Sequence, residues 1–198
     1  ENVKQLATHN KGHTLKRILE VLRTLDYTVE YRILNALDFG LPQKRERILI
    51  VGMRDEFPFA WPTGGVPMRP LSEILEKDVP PEYVASKHIQ QQRKAKHTSP
   101  YRPAIWHENK GGNVSSHPFS CALRAGASYN YLLVDGVRRL TIREMLRLQG
   151  VPDSFQIVCN YSQTRQQAGN AVPVPVVKAV LTELNYALTD EADALYMP

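Results

Sequence analysis

Apolar residues recur with two different spacings along residues 1–57. Between Thr14 and Leu25 they lie three or four positions apart, which predicts a helix with Thr14 as its N-terminal cap. Residues 27–34 alternate between apolar and polar and are rich in β-forming side chains, and residues 47–53 form a second apolar strand. Because a loop of about a dozen residues joins the two strands, we expect an antiparallel pair at the end of an α/β sheet.

Residues 58–137 have a different character, because prolines and glycines are too frequent there for regular core elements. Only residues 71–77 suggest a short helix. A basic run then follows over residues 86–101. We expect a smaller, loop-rich domain whose basic run contacts phosphates, although a solvated surface loop would have the same composition.

Helical signals return in the C-terminal third of the chain. Thr141 and Glu144 have the spacing of a capping box, which predicts the start of a helix. A last helix is predicted from about residue 173 to 188, where apolar residues recur at helical spacing. The pattern divides the chain into three parts, which are residues 1–57, 58–137 and 138–198.

Composition narrows the class of protein only moderately. The 198 residues include 42% hydrophobic and 23% charged residues, which is ordinary for a globular protein, and the net charge of +5 suits a polyanionic partner without requiring one. The two cysteines, Cys121 and Cys159, predict neither a disulfide framework nor a metal site and favour a reducing cytosol. Since no apolar run approaches the roughly 20 residues of a membrane helix, we expect no membrane partner.

A polar turn runs directly into an apolar strand at residues 41–52. Gln43, Arg45 and Arg47 recur at every second position, so an extended chain projects all three from one face. Guanidinium groups stay charged and present a planar fork of donors, which suits phosphate oxygens and base carbonyls. The spacing alone also fits a charged strand end that stays solvated.

Four blocks of sequence occur in the order typical of one enzyme family. They are Glu1-Asn2-Val3, the Gln-x-Arg-x-Arg of residues 43–47, residues 138–155, and the Gln-Ala-Gly-Asn-Ala-Val-Pro of residues 167–173. Together they resemble the cytosine-C5 DNA methyltransferases of the bacterial restriction-modification type. The resemblance implies an α/β fold, the C-terminal part of a Rossmann-like S-adenosylmethionine-dependent methyltransferase sheet. Residues 1–57 would belong to the catalytic domain, and residues 58–137 would be a small, loop-rich target-recognition domain, the recognition region. Residues 138–198 would form the scaffold of that region and the C-terminal helix that returns to the catalytic domain. It also implies action on double-stranded DNA in the bacterial cytoplasm, in association with the nucleoid.

The resemblance assigns a role to each block. Glu1 would bind N3 and N4 of a flipped cytosine and Arg47 would bind its O2, while Arg45 would bind a backbone phosphate or brace the site; these three form the implied catalytic set. Asn170 and Val172 would line the pocket for S-adenosylmethionine. The implied DNA-contacting set is Gln43, which also orders its loop, and four cations of the basic run, Lys87, Arg93, Lys94 and Lys96.

Two parts of the family pattern have no match in these 198 residues: the Gly-rich loop that cradles the cofactor and the Pro-Cys pair that supplies the nucleophile. Neither cysteine follows a proline, since Cys121 comes after Ser120 and Cys159 comes after Val158. We therefore interpret both as packed or incidental cysteines. Because the chain begins at Glu1, we expect a fragment or subunit that is inactive alone and needs an N-terminal half, from the same gene or from a separate subunit.

Two alternatives stay open at this point. One is a non-catalytic subunit or remnant that binds DNA and takes no part in methylation. The other, ranked below it, is a tRNA cytosine-C5 methyltransferase, whose Cys-Phe-Thr signature does not occur in this sequence.

Overall fold

The computed structural model describes residues 1–54 and 59–196, with side chains described up to residue 189. The boundary predicted at residue 57 lies outside the described residues. The strands are β1 (Asn2–Val3), β2 (Thr28–Asn35), β3 (Gln43–Lys44), β4 (Glu46–Met53), β5 (Ile105–Glu108), β6 (Val114–His117), β7 (Ser120–Cys121) and β8 (Leu132–Val134). The helices are α1 (His13–Arg23), α2 (Leu71–Ile74), α3 (Lys87–Lys96), α4 (Ile142–Leu148), α5 (Tyr161–Asn170) and α6 (Val174–Tyr196).

The first sheet has the strand order β1-β4-β2 and is antiparallel throughout. β2 pairs with β4 along its whole length, which confirms the predicted antiparallel pair. α1 covers one face of this sheet, where Leu15 and Leu19 pack against Val29 and Ile48. The amphipathic stripe of the helix thus buries the apolar face of the two strands.

The start of α1 differs from the prediction. The helix begins at His13, and the preceding Gly12, which has a φ of 86°, provides no side-chain cap. Thr14 lies inside the first turn, and its Oγ1 is 2.7 Å from Nδ1 of His9. The predicted cap at Thr14 is therefore wrong, and the hydroxyl instead holds the loop that leads into the helix.

A second sheet lies inside the region predicted to consist mainly of loops. Its order is β6-β5-β8, again antiparallel, and α3 is tied to β5 by an ion pair between Arg93 and Glu108. Strands of three or four residues carry too little alternation to be recognised among prolines and glycines, so the sequence pattern missed them. The short helix expected at residues 71–77 is present as α2, but it spans only Leu71–Ile74.

One hydrophobic core joins the small sheet to the C-terminal helices. It includes Leu71 and Ile74 of α2, Ile105 of β5, and Leu148 of α4. The core therefore crosses the boundary predicted at residue 137, because α4 supplies part of the packing for the recognition region.

The predicted capping box of α4 is confirmed. The N–H of Glu144 donates to Thr141 Oγ1 at 3.1 Å, and the N–H of Thr141 donates to Glu144 Oε2 at 2.8 Å. The fully buried Glu144 carboxylate also accepts hydrogen bonds from both terminal nitrogens of Arg138, at 2.9 and 2.7 Å, and from the N–H of Glu76, at 2.8 Å. A buried carboxylate with this many donors ties the recognition region firmly to α4.

Two helices complete the described chain. The sequence pattern does not predict α5, whereas α6 begins at Val174, close to the predicted start, and continues past residue 188. Val176 and Val180 of α6 pack against Leu34 and Leu49, on the face of the first sheet opposite α1. The C-terminal helix therefore returns to the sheet with which the chain begins.

Within residues 161–189 one window of 18 residues has a mean hydropathy of 1.2, so the segment is, by length and composition, apolar enough to cross a membrane, although the sequence pattern predicted no such run. The helix is interrupted between Asn170 and Val174, and Val176, Val180 and Ala187 are buried in the protein. The segment therefore consists of two helices, of which α6 packs one face on the first sheet and exposes the other.

Candidate functional site

Glu1 and Arg47 come from separate sequence blocks and contact each other in the structure. β1 pairs with β4 so that Val3 lies opposite Arg47, and this register brings Glu1 alongside. Arg47 Nε is 2.8 Å from Oε1 of Glu1, and the two side chains are 14% and 25% exposed. Burial lowers the pKa of Arg47, and the Glu1 carboxylate partly offsets this effect. The pair holds a guanidinium and a carboxyl group side by side at an accessible surface.

Arg45 is buried and faces the interior. Its guanidinium donates to three main-chain oxygens, those of Leu123 at 3.0 Å, Gly169 at 3.1 Å and Ala171 at 2.5 Å. Burial, together with the nearby charge of Arg47, lowers its pKa to about 10, so the group stays charged at neutral pH. Of the two roles implied for Arg45, this geometry fits bracing, because a side chain that is 1% exposed cannot reach a phosphate.

Gln43 is also fully buried, and this corrects its assignment as a DNA contact. Its Nε2 donates to the carbonyl of Leu148 at 2.7 Å, and its Oε1 accepts from the N–H of Leu123 at 3.2 Å. β3 pairs in parallel with β7, so that Gln43 lies opposite Ser120. The side chain orders the loop, as expected, but has no surface left for DNA.

Gln149 completes this arrangement, and sequence reasoning missed it. It is fully buried, its Nε2 donates to the carbonyl of Ala168 at 2.5 Å, and its main-chain carbonyl accepts from the N–H of Val174 at 2.8 Å. We call Gln43, Arg45 and Gln149 the polar hub. The hub joins the start of β4, the segment after β7, the end of α4 and the junction between α5 and α6.

Gly169 allows the hub to be this compact. A Cβ at this position would lie 2.3 Å from the main-chain nitrogen of Ala125, far inside a normal contact. Only a residue without a side chain lets α5 approach the 124–125 segment so closely. The glycine of the last sequence block is therefore explained by packing of the main chain.

Asn170 and Val172, the residues predicted to line the cofactor pocket, lie on either side of Ala171, whose carbonyl accepts from Arg45. Asn170 is exposed and lines an open groove of about 490 Å³ with Cys159. Val172 lines a separate, mainly apolar groove of about 580 Å³ along α6. The structure thus places the two residues in different grooves, and their shared role in a site for a cosubstrate such as S-adenosylmethionine stays a prediction. The described residues do not enclose such a site by themselves.

Of the four cations in the basic run that were predicted to contact DNA, Arg93 and Lys96 contact other groups of the protein. Arg93 is 4% exposed, forms an ion pair with Glu108 at 2.7 Å and donates to the carbonyl of Asn130 at 2.7 Å, so its assignment as a DNA contact is corrected. Lys96 donates to Gly112 O at 3.1 Å and lies 3.5 Å from Glu108. By contrast, Lys87 and Lys94 are exposed at the surface of α3.

Two further cations, Lys44 and Arg124, influence Cys121 and were not singled out from the sequence. Burial raises the pKa of the half-buried Cys121, and the charges of Lys44 and Arg124 offset this only in part. The thiol therefore stays protonated at neutral pH, which is unfavourable for a nucleophile. Arg124 lies 4.8 Å from the centre of the Tyr131 ring and is exposed, so it adds positive charge to the surface beside the hub.

Comparison with solved structures identifies the fold. The structure superposes on the Dnmt2 methyltransferase of S. pombe with a TM-score of 0.68 at 18% sequence identity, over 95% of this chain and 66% of that one. The Entamoeba histolytica methyltransferase EhMeth gives a TM-score of 0.65 at 17% identity, over 89% of this chain and 58% of that one. At these identities the likeness shows an α/β methyltransferase fold.

Sequence comparison is more specific. The chain is 59% identical over 182 residues to the Type II methyltransferase M.NgoBI of Neisseria gonorrhoeae, covering 90% of this chain and 57% of that protein. It is 52% identical over 200 residues to the Type II methyltransferase M.HaeII of Haemophilus aegyptius, covering 99% of this chain and 63% of that protein. The chain thus spans about three fifths of the length of these relatives.

The family model for C-5 cytosine-specific DNA methylases matches residues 1–115 and 90–185, which together include every block described above. Because this match extends over most of the chain, the chain belongs to the C-5 cytosine-specific DNA methylase family.

Proposed function

We propose that these residues are the target-recognising, C-terminal part of a DNA (cytosine-5)-methyltransferase of a bacterial restriction-modification system. The whole enzyme would transfer a methyl group from S-adenosylmethionine to C5 of a cytosine in a specific double-stranded site, in the cytoplasm and in association with the nucleoid. The observation that carries the proposal is the contact between Glu1 and Arg47, 2.8 Å apart at an accessible surface.

The chemistry requires a pair of this kind. C5 of cytosine is a poor nucleophile and lies inside the duplex, so the base must be flipped out before it can react. A thiolate that adds at C6 turns the ring into a nucleophilic enamine, and groups that hold the polar edge of the ring stabilise the charge that develops. Glu1 would bind N3 and N4, and Arg47 would bind O2.

Residues of the hub would position the reacting groups without touching the base. Arg45 fixes the carbonyls on both sides of Asn170, and it also holds Leu123 of the recognition region. Asn170 and Val172 would then form one wall of the S-adenosylmethionine site, where the cosubstrate supplies the methyl group. The same guanidinium would keep the recognition region and the cosubstrate wall in register.

The nucleophile must come from outside these residues. Neither cysteine follows a proline, and burial raises the pKa of Cys121. We propose that an N-terminal half, in the same protein or in a separate subunit, supplies the Pro-Cys pair and the Gly-rich loop. The greater length of M.NgoBI and M.HaeII supports this arrangement.

DNA would lie against the recognition region. Lys87, Lys94 and Arg124 are exposed cations there, whereas Gln43 and Arg93 are buried and hold the scaffold. Cations of this kind bind phosphates independently of sequence, and base specificity would come from side chains that reach base edges.

Methyl transfer from labelled S-adenosylmethionine to cytosine-containing DNA tests the proposal. We expect activity when the chain is co-expressed with an N-terminal half that carries the Pro-Cys pair, and none with the chain alone. Glu1→Gln and Arg47→Ala should each lower the rate of the combination by roughly 10²–10³-fold, because each removes a charge-stabilising contact. Lys16→Ala, a change on the exposed side of α1, is the control and should leave the rate unchanged.

Two results would contradict the proposal. Activity of the chain alone would place the nucleophile among these residues. Loss of activity in the combination, with DNA binding retained and insensitive to Glu1→Gln, would favour a subunit that only binds DNA.

A further inference from the structure

The loop between β7 and β8, residues 122–131, lies along α5 and runs in the direction opposite to the helix. Ala125 meets Gly169 near the C-terminal end of α5, where a Cβ on the glycine would lie 2.3 Å from the nitrogen of Ala125. Further along the loop, the hydroxyl of Tyr129 donates to Oγ of Ser162 at 3.4 Å, in the first turn of the helix. We call this segment the β7–β8 loop, and it follows α5 for about two turns.

Arg165, in the middle of α5, ties this loop to the helix. The residue is 9% exposed, and its guanidinium donates to the main-chain oxygens of Ala127 and Ser128, the second at 3.1 Å. The same group lies 4.7 Å from the centre of the Tyr129 ring, within the range of a cation–π contact. That ring also stacks on Tyr161, with centroids 5.8 Å apart. One planar group with several donors thus holds three consecutive loop residues.

The two ends of the β7–β8 loop are anchored in the hydrophobic core, whereas its middle is not. Leu123 and Tyr131 are 3% and 7% exposed and belong to the core cluster. Each residue from 124 to 130 is exposed or half-buried, so apolar packing contributes little there. The middle of the loop is therefore held mainly by its close contact with Gly169 and by the hydrogen bonds from Arg165.

The loop begins close to the Glu1–Arg47 pair. The carbonyl of Leu123 accepts from Arg45 at 3.0 Å, and Arg45 precedes Arg47 by two positions, roughly 7 Å of extended chain. Tyr129, six positions further along the loop, is 45% exposed. Since neighbouring nucleotides of one strand are about 3.4 Å apart, a cytosine at the pair would bring the next bases within reach of the loop.

We propose that Arg165 is a positioning residue for the choice of DNA site. It is buried and does not touch the bases or the reacting atoms, but it holds the β7–β8 loop in the conformation that meets the bases beside the flipped cytosine. The inference rests on the proposed function, because it needs DNA as the substrate. It adds a residue on the scaffold helix α5, outside the recognition region and outside the four sequence blocks.

Steady-state methylation of plasmid DNA by the chain combined with its N-terminal half tests this role. Arg165→Ala should raise the KM for DNA by about tenfold and leave kcat within about twofold of the wild type, because the loop must then be ordered when DNA binds. Arg165→Lys should recover most of the loss, since an ammonium group can still reach two neighbouring carbonyl oxygens.

Arg143→Ala is the matched control. Arg143 also fixes a loop to its own helix, since its guanidinium donates to the carbonyl of Phe155 at 3.0 Å, but that loop lies outside the recognition region. This variant loses a comparable contact between a helix and a loop. We expect it to leave the KM for DNA unchanged.

Two further measurements do not depend on the rate. Bisulfite sequencing of the methylated plasmid should show one methylated sequence for the wild type and additional sequences, differing at one base, for Arg165→Ala. Amide hydrogen exchange of residues 124–130 should become roughly tenfold faster in Arg165→Ala, because the loop opens more often, and should stay unchanged in Arg143→Ala.

The outcomes separate this role from the proposed function. Unchanged hydrogen exchange in Arg165→Ala, with wild-type KM and site choice, would overturn the role of Arg165 while methylation stands. A fall in kcat alone would also overturn it, because a loss of folded enzyme explains that result. Absence of methylation by the unmodified combination would overturn the proposed function and this role together. Should Arg165→Ala fail to fold, Arg165→Gln, which keeps one donor group, provides the same comparison.

Discussion

At the scale of single residues, Arg45 and Arg47 have the same side chain and lie two positions apart, yet they contact different groups. Arg45 is buried and donates hydrogen bonds to three main-chain carbonyls, whereas Arg47 forms an ion pair with the carboxyl group of Glu1 near the surface. The alternation of a strand does not separate them, since both project from one face. Their environments differ because Arg45 precedes β4 and meets carbonyl groups from the segment after β7 and the α5–α6 junction, whereas Arg47 lies within β4 beside Glu1.

Replacing Arg45 tests its bracing role. Arg45→Ala should lower the free energy of unfolding by about 3 kcal/mol, because three buried carbonyls lose a charged donor. Arg45→Lys should recover part of the loss, since an ammonium group cannot reach all three oxygens at once. Urea denaturation of the chain measures both values, with Arg17→Ala as the exposed control. A free energy of unfolding for Arg45→Ala within about 0.5 kcal/mol of the wild-type value would rule out a bracing role for Arg45.

At the scale of elements, the functional surfaces depend on close contacts between segments far apart in sequence. α5 approaches the segment after β7 at Gly169, and β3 adds a short parallel pairing to β7. These contacts place the last sequence block against the recognition region. A small displacement of α5 would therefore move Asn170 and Val172 as well.

Gly169→Ala tests this contact. The new methyl group would lie 2.3 Å from the nitrogen of Ala125, so the segments must separate, and we expect destabilisation of roughly 1–3 kcal/mol. The matched control is Gly126→Ala in the same segment, where a Cβ would meet nothing within 4 Å. Thermal unfolding of both variants makes the comparison. Equal melting temperatures would show that α5 can shift without cost.

At the scale of the whole molecule, apolar surface remains open along α6. Val174, Leu181, Tyr186 and Leu188 are between 41% and 57% exposed, and the groove beside them is mainly apolar. Exposed apolar patches of this kind typically mark an interface. We therefore expect the chain to self-associate when expressed alone and to bury this face against the N-terminal half.

Leu181→Lys tests that interface. It should weaken binding to the N-terminal half by about tenfold or more, since a charge would enter an apolar contact. Leu25→Lys is the control, because Leu25 is equally exposed, at 55%, but lies beyond the end of α1. Sedimentation of each variant, alone and with the N-terminal half, provides the measurement. Similar behaviour of the two variants would place the interface elsewhere.

The sequence by itself determined the family, the antiparallel β2–β4 pair and the capping box of α4. These features follow from rules that involve few positions: the period of a strand, the spacing of a cap, and the order of short blocks. The short strands β5, β6 and β8 escaped such rules, because three or four residues carry no clear period.

Only the tertiary structure decided which polar residues are buried and which reach the surface. Arg93 and Lys94 are neighbours in one basic run, yet Arg93 pairs with Glu108 in the interior and Lys94 faces a groove. The acceptors of Arg45 lie 78 to 126 positions away along the chain. Burial and pairing depend on segments that meet only after folding, so local composition cannot distinguish a structural cation from a ligand-binding one.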